Sequence, residues 1–304
     1  MQIPKVPQIP KKLYPFESHY FDRQGLRLHY LDEGAGDPVV MVHGNPSWSF
    51  YYRNLVLALR GQFRCIVPDH IGCGLSDKPG DDQYSYTLKS RVDDLEALLD
   101  SLQIKRCTLV VHDWGGMIGM AYATRHPDRI ARLVVLNTAG FRLPERKPLP
   151  WQLGLVRNTP LGALMVRGGN AFARGAAWVG CQRERMPKDV RDAYCAPYDS
   201  WKNRIATLRF VQDIPLKAGD AGYDIVTGVE EHLSRFRATP TLICWGAKDF
   251  VFDDHFLREW QRHLPEAEVH RFADAGHYVL EDASKEIIPL VQGFLAKAPV
   301  RAAS

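Results

Sequence analysis

The chain has 304 residues, 45% hydrophobic and 24% charged, a globular composition at a length that buries roughly 75% of the surface of the unfolded chain. Intrinsic disorder and a small scaffold stapled by disulfides or metal are excluded. A net charge of +4, with 39 basic residues scattered among 35 acidic ones, excludes the basic, aromatic-interleaved stripe of a nucleic-acid binder, and no apolar run approaches the ~18 residues of a membrane span.

Residues 1–19 begin MQIPKVPQIPKKLYP, charged and proline-containing without the apolar run of a secretory signal. They read as an N-terminal extension on a cytoplasmic protein. Residues 20–34 read as a hairpin about a glycine-containing turn, and PVVMVHG (38–44) as a short buried strand. A helical pattern at 49–61 is followed by the strand run FRCIVPDH (63–70), a helix at 87–104, the strand CTLVVHD (107–113), a helix at 115–127 and the strand ARLVVLN (131–137). From Phe141 to Phe236 no strand run occurs, only Arg-, Gly- and Pro-containing amphipathic stretches. That segment reads as a helical insertion between two sheet strands, a cap over the site. Strand TPTLICWG (239–246), a helix at 253–265, strand AEVHRF (267–272) and a helix at 284–298 complete the chain.

Strands apolar on both faces that alternate with helices predict an α/β fold with a mostly parallel central sheet flanked by helices. The expected division is a core of 20–140 and 237–298 and a cap of 141–236. Cys65, Cys107 and Cys244 fall in apolar strand runs, while Cys73, Cys181 and Cys195 lack metal-ligand spacing. All six are expected to be reduced, with no metal site.

The strongest chemical signal is VVHDWGGMIGM (110–120): an apolar strand, an acidic residue, small residues, then a helix. This is the setting of a nucleophile elbow, in which a sharp strand-to-helix turn lifts one side chain above a sheet beside helix N-terminal amides. Asp113 stands in the nucleophile's place. Capping of the following helix is the competing use of an aspartate there. Asp249 lies just past a strand, and His277 lies in the glycine-containing loop after the last strand. Nucleophile, acid, histidine is the order in which α/β-hydrolase triads run along the chain. The rival acids Asp253 and Asp254 fall where the next helix would begin, and the loop NTAGF (137–141) carries no carboxylate.

An aspartate attacking saturated carbon makes an alkyl ester that can be cleaved again, whereas a serine would make an inert ether. The substrate is therefore expected to carry a leaving group such as a halide, or to be a strained epoxide or lactone. Its departing anion needs donors. VHGNPSW (42–48) lies where α/β-hydrolases place part of the oxyanion hole, and the second amide is that of Trp114. The Asn45 carboxamide and the Trp114 indole add two further N–H groups, and an indole donates without accepting. Alternatively Asn45 closes a turn before Pro46 and Trp114 is core.

HGNP (43–46), DHIGCGLSDKP (69–79), VHDWGG (111–116), GAKD (246–249) and DAGHYVLEDA (274–283) resemble the haloalkane dehalogenase branch of the α/β-hydrolases, over nearly the whole chain from Phe21 to Leu295. The resemblance implies a triad of Asp113, His277 and Asp249, with Asn45 and Trp114 as the anion-holding pair. Epoxide hydrolases share the elbow but carry Phe where Asn45 stands and rely on two cap tyrosines, for which Tyr194, Tyr198 and Tyr223 are candidates. Fluoroacetate dehalogenases prefer Arg where Trp114 stands.

The stretches 136–144, 155–176 and 196–216 are similar to a subgroup that includes the β-lactone decarboxylases of bacterial long-chain olefin biosynthesis. That resemblance implies cofactor-free conversion of cis-3,4-dialkyl β-lactones to cis-alkenes and carbon dioxide; the alternative is hydrolysis of alkyl halides. It also implies a long-chain apolar small-molecule substrate and an assembly with a β-lactone synthetase and a reductase. Leu153, Leu155, Val156, Leu161, Leu164, Met165, Phe172 and Trp178 are expected to line an apolar tunnel or to pack the cap itself. The Arg-rich cap surface, with Arg174, Arg183, Arg185 and Arg191, reads as a docking face or as ordinary solvated helix.

Overall fold

Gln24 and Gly25 both take positive φ (54° and 84°), the backbone of a two-residue hairpin turn, and fold β1 (His19–Arg23) onto β2 (Leu26–Glu33). Six parallel strands follow: β3 (Asp37–Val42), β4 (Phe63–Pro68), β5 (Cys107–Asp113), β6 (Ile130–Thr138), β7 (Thr241–Gly246) and β8 (Glu268–Phe272). β2 joins them antiparallel to β4, giving an eight-stranded sheet in the order β1-β2-β4-β3-β5-β6-β7-β8. The computed structural model describes residues 9–297. Residues 1–8 of the expected extension and residue 298 at the end of the expected core lie outside them. Residues 9–18 form no free tail: Tyr14 is buried against Trp48 and hydrogen-bonds the Ser49 hydroxyl at 2.6 Å.

Side chains alternate across the sheet, and that alternation builds two cores. Val40, Val42, Leu109, Val111, Leu133 and Val135 face one cluster; Val39, Met41, Val110, Val134 and Leu136 face the other. Helices α1 (Arg53–Leu59), α2 (Leu88–Ser101) and α3 (Trp114–Arg125) connect the strands. α2 starts where the Thr87 hydroxyl accepts the Ser90 amide, and buries Leu88, Val92, Leu95 and Leu99 on one stripe. Two expected elements end differently. The helix expected from Ser49 opens as a 3₁₀ turn, Ser49–Tyr52, because the Ser49 amide is held by the Asp69 carboxylate (2.6 Å) while Phe50, Tyr51 and Tyr52 are all buried. β4 stops at Pro68, since Asp69 and His70 turn into a buried polar network. β8 is half-exposed rather than apolar throughout, as an edge strand with a neighbour on one side only.

Between β6 and β7 lie α4 (Trp151–Asn158), α5 (Pro160–Gly169), α6 (Ala171–Val179), α7 (Lys188–Cys195), α8 (Ile205–Gln212) and α9 (Tyr223–His232). Leu153, Val156, Val166, Leu208 and Val211 make a small core for this insertion. Val226 and Val229 of α9 join the cluster that holds α3. After β7 come α10 (Asp254–His263), α11 (Val279–Asp282) and α12 (Ser284–Lys297). Among the described residues no helix is long and apolar enough to cross a membrane.

Candidate active site

Every residue of β5 is buried, and the strand runs directly into α3 at Asp113. Asp113 takes φ 52° and ψ −127°, a conformation that costs a non-glycine residue about 1–3 kcal/mol and persists only when its surroundings impose it. They do. The Thr138 hydroxyl donates to the Asp113 carbonyl, and a Cβ on Gly115 would collide with the Val42 carbonyl, so only glycine lets α3 start this close to β3. The Asp113 side chain makes no capping bond to its helix. Its carboxylate points instead toward the β3 loop, where Gly44 leaves the space for it and the Asn45 amide donates to Oδ1 at 2.5 Å. The neighbouring Trp114 amide adds a further attraction to the same carboxylate. The Asn45 amide thus grips Oδ1, and Oδ2 faces His277.

His277 Nε2 stands 3.7 Å from Asp113 Oδ2. Its Nδ1–H donates to Asp249 Oδ2 at 2.8 Å, since an ionised carboxylate can only accept. All three side chains are buried. Burial raises the Asp113 carboxyl to about 6, against the His277 charge and the two amides that lower it. Burial alone would lower the His277 imidazole, but the Asp249 and Asp113 carboxylates outweigh it and raise it. Asp253 and Asp254 take no part: the Asp253 carboxylate caps α10 through the His255 amide and meets Lys147, and Asp254 pairs with Arg271.

Asn137, at the end of β6 with φ 28°, was passed over in the sequence because its loop holds no carboxylate. Its Nδ2 donates to Asp249 Oδ2 (3.2 Å) and to the Gly246 carbonyl (2.9 Å), and its Oδ1 accepts the Gly246 amide (2.7 Å). It clamps the acid's loop to the sheet. His112, one residue before the elbow, was also missed. Burial keeps it neutral, and its Nε2–H donates to the His277 carbonyl at 2.9 Å while its ring packs on His277. The signals available were an amide beside a strand-end acid loop and a histidine beside the elbow; neither is specific without the partner.

The Asn45 carboxamide donates one N–H to the Thr207 carbonyl of α8 (3.1 Å), leaving its second N–H unengaged, and Trp114 lies beside it on the same cavity. That cavity holds about 430 Å³ between the sheet and the insertion. Its polar side chains are Asn45, Asp113 and His277 near the reacting centre and Gln152 on α4; the rest are apolar, among them Phe141, Val166, Phe172, Val226 and Phe252. Of the expected tunnel residues, Leu153, Leu155, Val156, Met165 and Phe172 line it. Leu161, Leu164 and Trp178 do not; they face outward. No tyrosine lines it among the described residues: Tyr194 donates to Glu281, Tyr198 to the Ser47 carbonyl, and Tyr223 lines a separate surface groove. Nor, among the described residues, is any group of three or more His, Cys, Asp or Glu placed to hold a metal ion.

Residues 37–284 match the model of the α/β-hydrolase fold family. The chain belongs to that family. This α/β-hydrolase is 62% identical over 286 residues, 94% of this chain and 90% of the relative, to the cis-3-alkyl-4-alkyloxetan-2-one decarboxylase of Shewanella oneidensis. It is 50% identical over 296 residues, 94% of this chain and 98% of the relative, to the protein of the same name in Xanthomonas campestris pv. campestris. Haloalkane dehalogenase 2 of Mycobacterium tuberculosis is 32% identical over 277 residues, 91% of this chain and 94% of the relative. Among solved structures, a loop variant of a haloalkane dehalogenase from Bradyrhizobium elkanii matches with a TM-score of 0.82 at 26% identity, covering 93% of this chain and 97% of that one.

Proposed function

We propose that this α/β-hydrolase is a cis-3-alkyl-4-alkyloxetan-2-one decarboxylase, converting β-lactones that bear two long alkyl chains to cis-alkenes and carbon dioxide without a cofactor. The observation that carries the reading is the cavity: apolar walls suited to alkyl chains, closing on one carboxylate whose Oδ2 faces the His277 ring. The two similar decarboxylases, at 62% and 50% identity, support this substrate over the alkyl halides of the more distant relatives.

Asp113 Oδ2 attacks the saturated ring carbon bonded to oxygen. The new O–C bond forms as the ring C–O bond breaks, and the electron pair leaves on the freed substrate carboxylate. The Trp114 indole and the second N–H of Asn45 donate to that anion, as preorganised donors beside an apolar cavity. The carbon–carboxylate bond then breaks, its pair forms the double bond, and the bond to Asp113 breaks to restore the enzyme carboxylate. Atoms balance without water, oxidant or reductant. Inversion at the attacked carbon followed by anti elimination converts a cis ring to a cis alkene. An apolar cavity helps the second step, since a poorly solvated carboxylate loses its charge on departing as carbon dioxide. His277, oriented by Asp249, balances the charge of Asp113 when that carboxylate is released.

The test is to incubate the protein separately with a cis-3,4-dialkyl β-lactone and with a long-chain bromoalkane, measuring alkene and bromide. Alkene formed in step with lactone loss, and far faster than bromide, is the expected result. Faster bromide release would make the protein a dehalogenase.

The proposal extends to the setting. A cytoplasmic location is supported by six free cysteines. Handover of an insoluble, strained lactone favours an assembly with the synthetase that makes it and a reductase of the same pathway. Co-elution with co-expressed synthetase at moderate salt is expected; separate elution at every salt concentration would remove that part of the proposal.

A further inference from the structure

The helices over the cavity present an outer surface unlike that of a water-facing helix. In α5, Leu161, Leu164 and Met165 are 58%, 57% and 43% exposed. With exposed Gly168 they sit at i, i+3, i+4 and i+7, one helical face, while the opposite face buries Gly162 and Val166. An amphipathic surface helix places polar residues on its outer side; this one is apolar on both. Trp151, at the start of α4, is 73% exposed. Trp151, Met165 and exposed Val179 and Phe250 also line the cavity. The outer apolar surface is therefore continuous with the cavity mouth.

The segment that carries that surface is itself cationic. Residues 146–183 contain Arg146, Lys147, Arg157, Arg167, Arg174 and Arg183 and no Asp or Glu. Lys147, Arg157 and Arg183 pair with carboxylates from other segments. Arg146 and Arg174 are exposed, and among the described residues no carboxylate pairs with them. An apolar centre carrying Trp and Leu on a cationic segment matches the interface of an anionic bilayer, where apolar groups enter the headgroup boundary and cations meet lipid phosphates. Because the mouth opens in the same surface, its occupant must also accept or supply whatever apolar molecule the cavity holds, and acyl chains do both.

We propose that α4, α5 and α6 dock this protein on an anionic lipid surface with the cavity mouth turned toward the acyl chains. Vesicle binding requires no substrate, so its outcome is independent of the decarboxylase reading.

The experiment is flotation of the full chain with vesicles of phosphatidylethanolamine and phosphatidylglycerol, and with pure phosphatidylcholine vesicles, at low and high salt. Binding to the anionic vesicles is expected to exceed binding to phosphatidylcholine at least about tenfold and to weaken with salt. Leu161→Gln with Leu164→Gln, and separately Arg146→Glu with Arg174→Glu, should each lower the anionic-vesicle partition coefficient, the charge pair by about twentyfold or more at roughly fivefold per cation. Unchanged melting temperatures would show both variants folded, as expected for exposed positions. No flotation at low salt, equal binding to both vesicle types, or variants that float like the parent would overturn the proposal. Retention of a co-expressed protein, lost in the same variants and without vesicle binding, would assign the surface to a protein partner and overturn it as well.

Discussion

The floor and the roof of the cavity are built on different terms. On the floor, Asp113 and Asn137 are held at φ 52° and 28°, and Asp249 and the Asp113 oxygen gripped by the Asn45 amide each have named hydrogen-bond partners. The roof is made of apolar side chains on short helices, touching the floor's polar groups chiefly through the Thr207 carbonyl on Asn45. A strained floor held by directional hydrogen bonds tolerates little displacement, and so it decides which bond breaks. A roof held by dispersion and burial tolerates repacking, and so it decides which molecule fits.

The division is broken most severely at the nucleophile. Asp113→Asn should lower lactone turnover by ~10⁶, the size of effect seen when a nucleophile is removed from a hydrolase of known mechanism. Alkene formation within a hundredfold of the parent, measured at saturating lactone, would mean that the floor does not supply the reacting atom. Asp249→Asn should cost ~10⁴ in kcat, the size of loss seen when a triad acid is removed, because His277 loses the carboxylate that orients its ring and supports its charge. Near-normal turnover would assign the orienting role elsewhere. A smaller effect follows from pH. Burial raises Asp113 to about 6, above the usual carboxylate value, so the reactive carboxylate is present above that pH and lost by protonation below it. kcat/KM should fall about tenfold per pH unit on the acid side of this value, and a flat profile between about pH 5 and about pH 8 would contradict the assignment. The roof should give the mildest change and a different signature. Phe172→Ala, which removes an apolar wall, should raise KM for the longest lactones about tenfold and leave kcat nearly unchanged. A fall in kcat without a change in KM would show that the roof also positions the reacting atoms.

How far the chain could be read tracks this difference. The elbow at Asp113 was legible because a buried strand, a tight turn and small residues are adjacent in sequence. Asp249 and His277 followed from their places at strand ends, and the structure sets the two 2.8 Å apart. The α/β sheet was legible from its continuous apolar runs, except at β8, where an edge strand is half-exposed instead of staying buried. Asn137 and His112 were not legible, because each acts through a partner far along the chain: Asp249 for one and the His277 carbonyl for the other. In the insertion, periodicity found the helices but not which face turns inward. Leu161 and Leu164 have the spacing of core residues, and only the packing of Gly162 and Val166 shows that they face outward.

The central claim is that a hydrolase scaffold here releases its product without water entering the reaction. Turnover of the β-lactone in water enriched in heavy oxygen, followed by mass analysis of the peptide containing Asp113, tests it directly. Decarboxylation by the route above restores the original carboxylate, so Asp113 should remain unlabelled through many turnovers while alkene and unlabelled carbon dioxide, trapped before exchange, accumulate. Label in the Asp113 carboxylate, with a hydroxy acid as product, would show that water cleaves the enzyme ester and that the protein is a hydrolase after all.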